Sequence, residues 1–157
     1  MSSEKLVINT QVVGNVCKVD FIGNINEDAD FEKIIALKMP EYHFNFDQVA
    51  MINSCGIREW ISLITKIGTQ ATIKYFNCRQ IVVEQINVVH GFITDKSQIQ
   101  TFYTPYYCDK CNLEKQVLVE VKSINNRKAP AIKCDKCSSK MEFDAIEEHY
   151  FSFIPKK

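Results

Sequence analysis

Four of the seven cysteines stand in two identical tetrapeptides, Cys108-Asp109-Lys110-Cys111 and Cys134-Asp135-Lys136-Cys137. A Cys-x-x-Cys turn presents two thiolates to one side of an ion, and two such turns supply the four soft ligands of a tetrahedral zinc site. The 22 residues between Cys111 and Cys134 are enough for a hairpin that brings the second turn to face the first. The spacing predicts one Zn2+ held by Cys108, Cys111, Cys134 and Cys137. With all four positions taken by thiolates, none is left open for water, so the metal is expected to be structural and not catalytic. Lys110 and Lys136 offset part of the thiolate charge. The competing reading is two separate redox dithiols. A redox pair, however, follows a strand in a thioredoxin-like unit and needs no twin. His149 reads as a surface or packing residue and not as a ligand.

A second pattern lies at Met51–Trp60, MINSCGIREW, where an apolar strand hands over to a helix through the small polar cluster Asn53-Ser54-Cys55-Gly56. Such junctions are where open α/β sheets keep their sites. The Ser54 oxygen is suited to cap the free amides of a 56–67 helix. Gly56 allows a tight entry or the approach of a partner. Ile57, Trp60, Ile61, Ile64 and Ile67 recur at helical spacing as a core stripe, Arg58 falls off that stripe, and Gly68 can close the helix. Cys55 and Cys78 each sit at a helix start, where a thiol pKa can fall. Both read as small packed cysteines.

The elements that must position these groups follow from periodicity. KLVINTQV (5–12) and VCKVDFI (16–22) read as strands. A helix carries Phe31, Ile34 and Ile35, with Asp28 or Asp30 as its cap and Pro40 as its stop. Strands follow at 43–52, 71–77 and 99–107, and a helix at 78–89 buries Val82, Ile86 and Val89. The order β-β-α-β-α-β-α-β predicts a sheet with parallel pairs and covering helices. Beyond it, VLVEVKS (117–123) reads as a strand and KSINNRK as a hairpin loop that reverses the chain into AIKC. Phe143, Ile146, Tyr150 and Phe153 suit a short helix packing back on the body.

Composition narrows the function classes. Acidic and basic residues balance at 19 each, so no global field draws the chain to nucleic acid or an anionic membrane. Residues 108–157 carry ten Lys/Arg against eight Asp/Glu, which thiolate ligation brings near neutrality. MSSEKLV shows no export signal, and no stretch approaches a membrane span of about 20 apolar residues. A soluble cytoplasmic protein is expected. No phosphate-cradling glycine loop and no nucleophile–histidine arrangement appears, so no enzyme is expected.

Residues 1–107 resemble a STAS domain, the fold of anti-sigma factor antagonists and sulfate transporter tails. The resemblance rests on GNINEDADF after the second strand, on FDQVAMINSCGIREWI, and on IKYFNCRQIVVEQINVV. In that family the junction usually reads D-S-S-G-x, and a partner anti-sigma kinase phosphorylates the first serine. The resemblance implies Ser54 as phosphoacceptor. Asn53 and Asn26 stand where the family carries aspartates, and Cys55 where it carries the second serine. Asn keeps the hydrogen-bonding shape but loses the charge. The resulting expectation is a STAS-like mixed α/β sheet at 1–107, with a four-cysteine zinc-ribbon β-hairpin and C-terminal helix at 108–157. Its function would be that of a bacterial, non-enzymatic regulator that binds a partner protein, such as an anti-sigma-type serine kinase, through Asn26, Asn53, Ser54, Cys55, Gly56 and Arg58. The alternative is a zinc-ribbon nucleic-acid adaptor regulated by the STAS-like part.

Overall fold

The computed structural model describes residues 5–155; residues 1–4 and 156–157, the outer ends of the 1–107 and 108–157 segments, lie outside them. The chain runs β1 (Val7–Val13), β2 (Val16–Ile25), α1 (Glu32–Leu37), β3 (Glu41–Ile52), α2 (Ser54–Ile67), β4 (Thr72–Phe76), α3 (Gln80–Val88) and β5 (Ser97–Ile99). It continues through β6 (Thr101–Cys108), β7 (Leu113–Glu120), β8 (Glu142–Phe143) and α4 (Glu147–Tyr150). The first five strands form one mixed sheet in chain order, with β1 antiparallel to β2 and every later pair parallel. The expected mixed α/β class is what the chain adopts.

Strand alternation explains how this sheet is covered. Cys17, Val19 and Phe21 of β2, Tyr42, Phe44 and Phe46 of β3, and Ile73 and Tyr75 of β4 are buried on one face. The alternate residues Lys18, Asp20, His43, Asn45 and Lys74 are polar. Parallel strands covered on both faces read as continuous apolar runs. The clean period of two here marks a sheet covered on one face, against which α2 lays Trp60, Leu63, Ile64 and Ile67. The Trp60 ring lies 5.3 Å from Phe21, 5.4 Å from Phe44 and Phe46, and 5.5 Å from Phe92. Its Nε1–H donates to the Phe92 carbonyl at 3.1 Å, which also accepts from Tyr75 Oη at 3.1 Å, so both buried polar tips are satisfied.

The expected last strand, 99–107, is two strands. Ile99 ends β5 in the first sheet, and β6 is the central strand of a second, antiparallel sheet ordered β7-β6-β8. The sheets part at Gln100, whereas the 107/108 division drawn from the sequence falls at the end of β6. The strand-forming residues Thr101, Phe102 and Tyr103 follow Gln100 at once, which concealed the change of sheet. The backbone still ties the two together: Cys78 N–H donates to the Thr101 carbonyl at 3.2 Å, and Tyr103 N–H donates to the Cys78 carbonyl at 2.9 Å. Across the same seam Tyr103 Oη donates to the Asp47 carboxylate, and the Arg79 guanidinium sits 4.4 Å above the Tyr103 ring.

Several local expectations are corrected. KSINNRK is not a hairpin loop. β7 begins at Leu113, pairs along its length with β6, and ends in a 3-10 turn at Val121–Ser123. AIKC pairs with no strand beyond a single Lys133–Lys140 bridge. Arg127 instead holds the tail, donating to the carbonyls of Ile154 at 2.7 Å and Ser152 at 3.0 Å. In the tail, Phe143 lies on β8 and α4 is a single turn. Ile146 is 75% exposed, while Tyr150, Phe151 and Ile154 are buried. Cys78 is buried short of the α3 start, and burial pushes its thiol pKa up, not down.

One hydrophobic cluster contains Phe21, Phe44, Trp60 and Val82 from the first sheet and its helices, together with Phe102, Ile124, Tyr150, Phe151 and Ile154. Tyr150 Oη donates to the Tyr103 carbonyl at 2.6 Å, and Asn87 of α3 donates to the Tyr150 carbonyl at 2.9 Å. A shared core melts as one unit. Phe151→Ala, in the tail, is therefore expected to lower stability by about 3–5 kcal/mol. The midpoint read by fluorescence of Trp60, in the first sheet, should shift with it. An unmoved Trp60 midpoint would show that the two parts unfold independently.

Candidate functional site

The four cysteines converge. Cys108 ends β6 and Cys111 lies in the turn to β7; Cys134 and Cys137 form a separate turn that folds over it. All four Sγ atoms lie within 4.8 Å of one another, with Cys108 Sγ 3.5 Å from Cys137 Sγ, and none is in a disulfide. Each turn ends in a left-handed residue directly after its second cysteine, Asn112 at φ 54 and Ser138 at φ 61. The turns are thus built alike, in backbone as in sequence. Lys136 N–H points at Cys134 Sγ at 3.4 Å. A salt bridge of 2.8 Å from Lys115 to Asp135 joins the hairpin to the second turn.

Electrostatics fit a cation at the centre. Hydrogen bonds from the Ser139 side chain and backbone lower the Cys137 pKa to about 6, and the Cys137 and Lys136 amides lower Cys134. Cys111 is pushed up to about 12, chiefly by its hydrogen bond to Cys137. Four thiols this close ionise together only when a cation shares their charge. The donor set is therefore compatible with a metal ion, and it unites the two Cys-x-x-Cys pairs in one cluster instead of leaving two dithiols. His149 is exposed and outside the cluster.

The second candidate lies at the carboxyl ends of β2 and β3. Here the helix cap is Asn53, not Ser54. Asn53 Oδ1 accepts from Gly56 N–H at 2.8 Å, and its Nδ2 donates to the Glu27 carboxylate at 2.8 Å. An asparagine can do both; an aspartate would cap the helix but oppose Glu27. That hydrogen bond holds the Glu27 carboxyl below its ordinary range. Asn26 is buried and forms a turn, accepting from Asp28 N–H at 3.0 Å. Asn53 N–H donates to the Ile25 carbonyl at 3.1 Å, drawing the start of α2 onto the end of β2. Gly56 is buried at this contact, and any Cβ would overlap the Ile25 carbonyl.

The predicted partner-binding residues therefore divide. Asn26 and Gly56 are buried and Asn53 is half-buried, whereas Ser54, Cys55 and Arg58 are exposed. Cys55 is not the packed residue expected, because the helix turns it outward. Ser54 is the first residue of α2, and its side chain has no hydrogen bond among the described residues. Arg58 follows four residues later, on the same face of the helix. Glu27 was missed from the sequence; its signal was an acid directly after Asn26. The basic loop is neutralised locally, with Lys122 paired to Glu120, Arg127 to Glu148 and Lys128 to Glu147. Among the described residues, no helix is long and apolar enough to cross a membrane.

No family model matches the sequence, and no curated protein matches it. Among solved structures, the chain is similar to an anti-sigma factor antagonist from Mycobacterium paratuberculosis, at 15% identity and a TM-score of 0.46. The alignment covers 54% of this chain and 77% of that one.

The junction geometry sets two expected outcomes. Gly56→Ala should destabilise the fold by about 1–3 kcal/mol or more, as over-packing against a fixed carbonyl does, which a denaturant melt would read. Asn53→Ala should cost about 1 kcal/mol of capping and raise the Glu27 pKa back toward its ordinary value in an NMR titration. The lowered folded-state pKa means that the Asn53–Glu27 contact supports the fold above the ordinary carboxylate range and is lost in acid. An unchanged Glu27 titration would refute the pairing.

Proposed function

We propose that the protein is a non-enzymatic, cytoplasmic regulator that binds a partner protein through the surface formed by Ser54, Cys55 and Arg58, with Asn26, Asn53 and Gly56 setting its shape. The observation that carries this reading is the exposed, uncommitted hydroxyl of Ser54 at the first position of a long helix. Its cap is already supplied by Asn53, so capping does not explain Ser54. The STAS-like sequence of residues 1–107 supports the same residue as a phosphoacceptor for a serine kinase. A phosphate there adds about −1.5 to −2 charges beside the positive end of the α2 dipole and one helical turn from Arg58, so the fold tolerates it. Within a close protein interface that charge has to be desolvated, and it acts as an off switch. The neutral asparagines at 53 and 26 have structural duties in the cap and the turn. They give the kinase no acid there to engage, and Glu27 is the carboxylate beside the site. The local pairing of Lys122, Arg127 and Lys128 speaks for a protein partner over nucleic acid.

The cysteine cluster in this proposal holds one structural Zn2+ and keeps the second sheet closed around Tyr106 and Met141, which pack with Cys108 and Cys134. Elemental analysis of protein prepared in reducing, zinc-replete conditions is expected to find one zinc per chain. Finding none would end the zinc assignment.

A partner recovered from the native cell supplies the binding assay. Ser54→Asp is expected to shift stability by no more than about 1 kcal/mol, the range of helix-end effects, while weakening the partner strongly; Ser54→Ala should bind normally and lose regulation. Wild-type binding by Ser54→Asp would remove the switch.

A further inference from the structure

β1 is an outer strand of the five-stranded sheet and pairs, among the described residues, with β2 alone. Its turn decides which way its backbone points. A two-residue hairpin loop is closed by a hydrogen-bonded pair. Here the loop is Gly14-Asn15, with Gly14 at φ 60, and the closing pair is Val13 and Val16. Alternation then turns Val13, Gln11, Asn9 and Val7 toward β2. It leaves the N–H and C=O groups of Val12, Thr10 and Ile8 facing outward. Lys33 Nζ, which reaches the Ile8 carbonyl at 3.3 Å, meets one of these outward groups.

Sheet edges are ordinarily blunted by proline, charge or a bulge. The β1 sequence VINTQVV has no proline and no charge, and its pairing with β2 runs from Val7 to Val13 without a register shift. Val7, Val12 and Val13 are 50%, 52% and 51% exposed. The strand is also complementary to itself. Turned antiparallel about Thr10, Val7 faces Val13, Ile8 faces Val12, Asn9 faces Gln11, and Thr10 faces its own copy. Branched apolar groups meet branched apolar groups, amide meets amide, hydroxyl meets hydroxyl, and no like charges are opposed. The backbone agrees with this register. The outward residues Ile8, Thr10 and Val12 meet Val12, Thr10 and Ile8 of the second copy, giving a ladder of about six hydrogen bonds. The Ile8 carbonyl has a second lone pair, so Lys33 need not leave.

We propose that the chain forms a two-fold symmetric dimer by antiparallel pairing of β1 with β1 of a second copy, about an axis through Thr10. Each five-stranded sheet becomes half of a continuous ten-stranded one. The ladder is short and the interface small, so the dimer is a reversible one that depends on concentration.

The test uses the full chain in sedimentation equilibrium. Wild type is expected to shift from monomer to dimer as concentration rises. Thr10→Pro removes an N–H that faces away from β2, leaving the fold's own ladder intact, and should stay monomeric with its dilute-solution melting unchanged. Register is read separately by mild oxidation in a Cys55→Ser background. Thr10→Cys, on the axis, should give a covalent dimer far faster than Gln11→Cys, which faces Asn9 of the second copy. The proposal is overturned by wild type remaining monomeric at hundreds of micromolar, as pairing reserved for a different chain would produce. It is equally overturned by equal cross-linking of the two cysteine variants, a readout that stands even if Thr10→Pro fails to fold.

Discussion

Burial of Trp60 is the constraint from which the rest of this structure follows. Its indole needs apolar rings on every side and an acceptor for its N–H, and both requirements are met only when α2 lies across β2, β3 and β4 in one position. That position brings the first turn of α2 down onto the end of β2. The approach is so close that residue 56 has no room for a side chain. The exposed trio Ser54, Cys55 and Arg58 is therefore held by a rigid helix and not by a mobile loop. A surface that discriminates among partners benefits from that support, because little ordering entropy is left to lose on binding.

The two sheets divide the work without dividing the core. The first sheet carries the aromatic cluster and the α2 junction; the second carries the cysteine cluster and lends Phe102 to the first. The seam between them is polar at its rim, where Asp47 accepts from Tyr103 and Arg79 donates to the Asp47 carbonyl at 2.7 Å. Tyr150 and Phe151 fill the apolar space beneath. The cysteine turns rest on Tyr106 and Met141, a small cluster of their own. A cluster of that size holds a fold closed only with additional cross-linking, of the kind that a metal ion on the four cysteines would supply.

Much of this is legible in the sequence. The alternation of β2 and β3, the stripe of α2 and the twin CDKC turns each express one strong local signal; the first and third are realised, and the stripe in part, with Leu63 buried where Ile57 and Ile61 are half-buried. What escaped depended on contacts between segments distant in sequence. Ser54 looked like the cap because serine is a good one; Asn53 won because it also reaches Glu27. Residues 99–107 read as one strand because nothing local marks Gln100 as the point where one sheet ends and another begins. Ile146 fits a helical stripe, but α4 is too short to present one. KSINNRK carries turn residues, yet AIKC does not return along β7: it meets residues 139–141 instead, with Met141 N–H donating to the Ile132 carbonyl and Cys134 N–H to the Ser139 carbonyl, each at 2.8 Å.

The arrangement of the shared core has a consequence for synthesis on the ribosome. α1, α2 and the first four strands emerge early and can gather Phe21, Phe44 and Phe46 around Trp60, but its N–H acceptor, the Phe92 carbonyl, follows α3. α3 cannot complete its packing then, because β6 and the Tyr150–Ile154 segment, which join the same cluster, are translated later. Domains ordinarily fold as the chain emerges, amino-terminal part first. Here α3, which also packs on β3, completes its packing only when β6 and α4 join it. A chain cut short before that point leaves part of the side carrying Val82, Val83 and Ile86 uncovered, an apolar mark that the folded chain lacks.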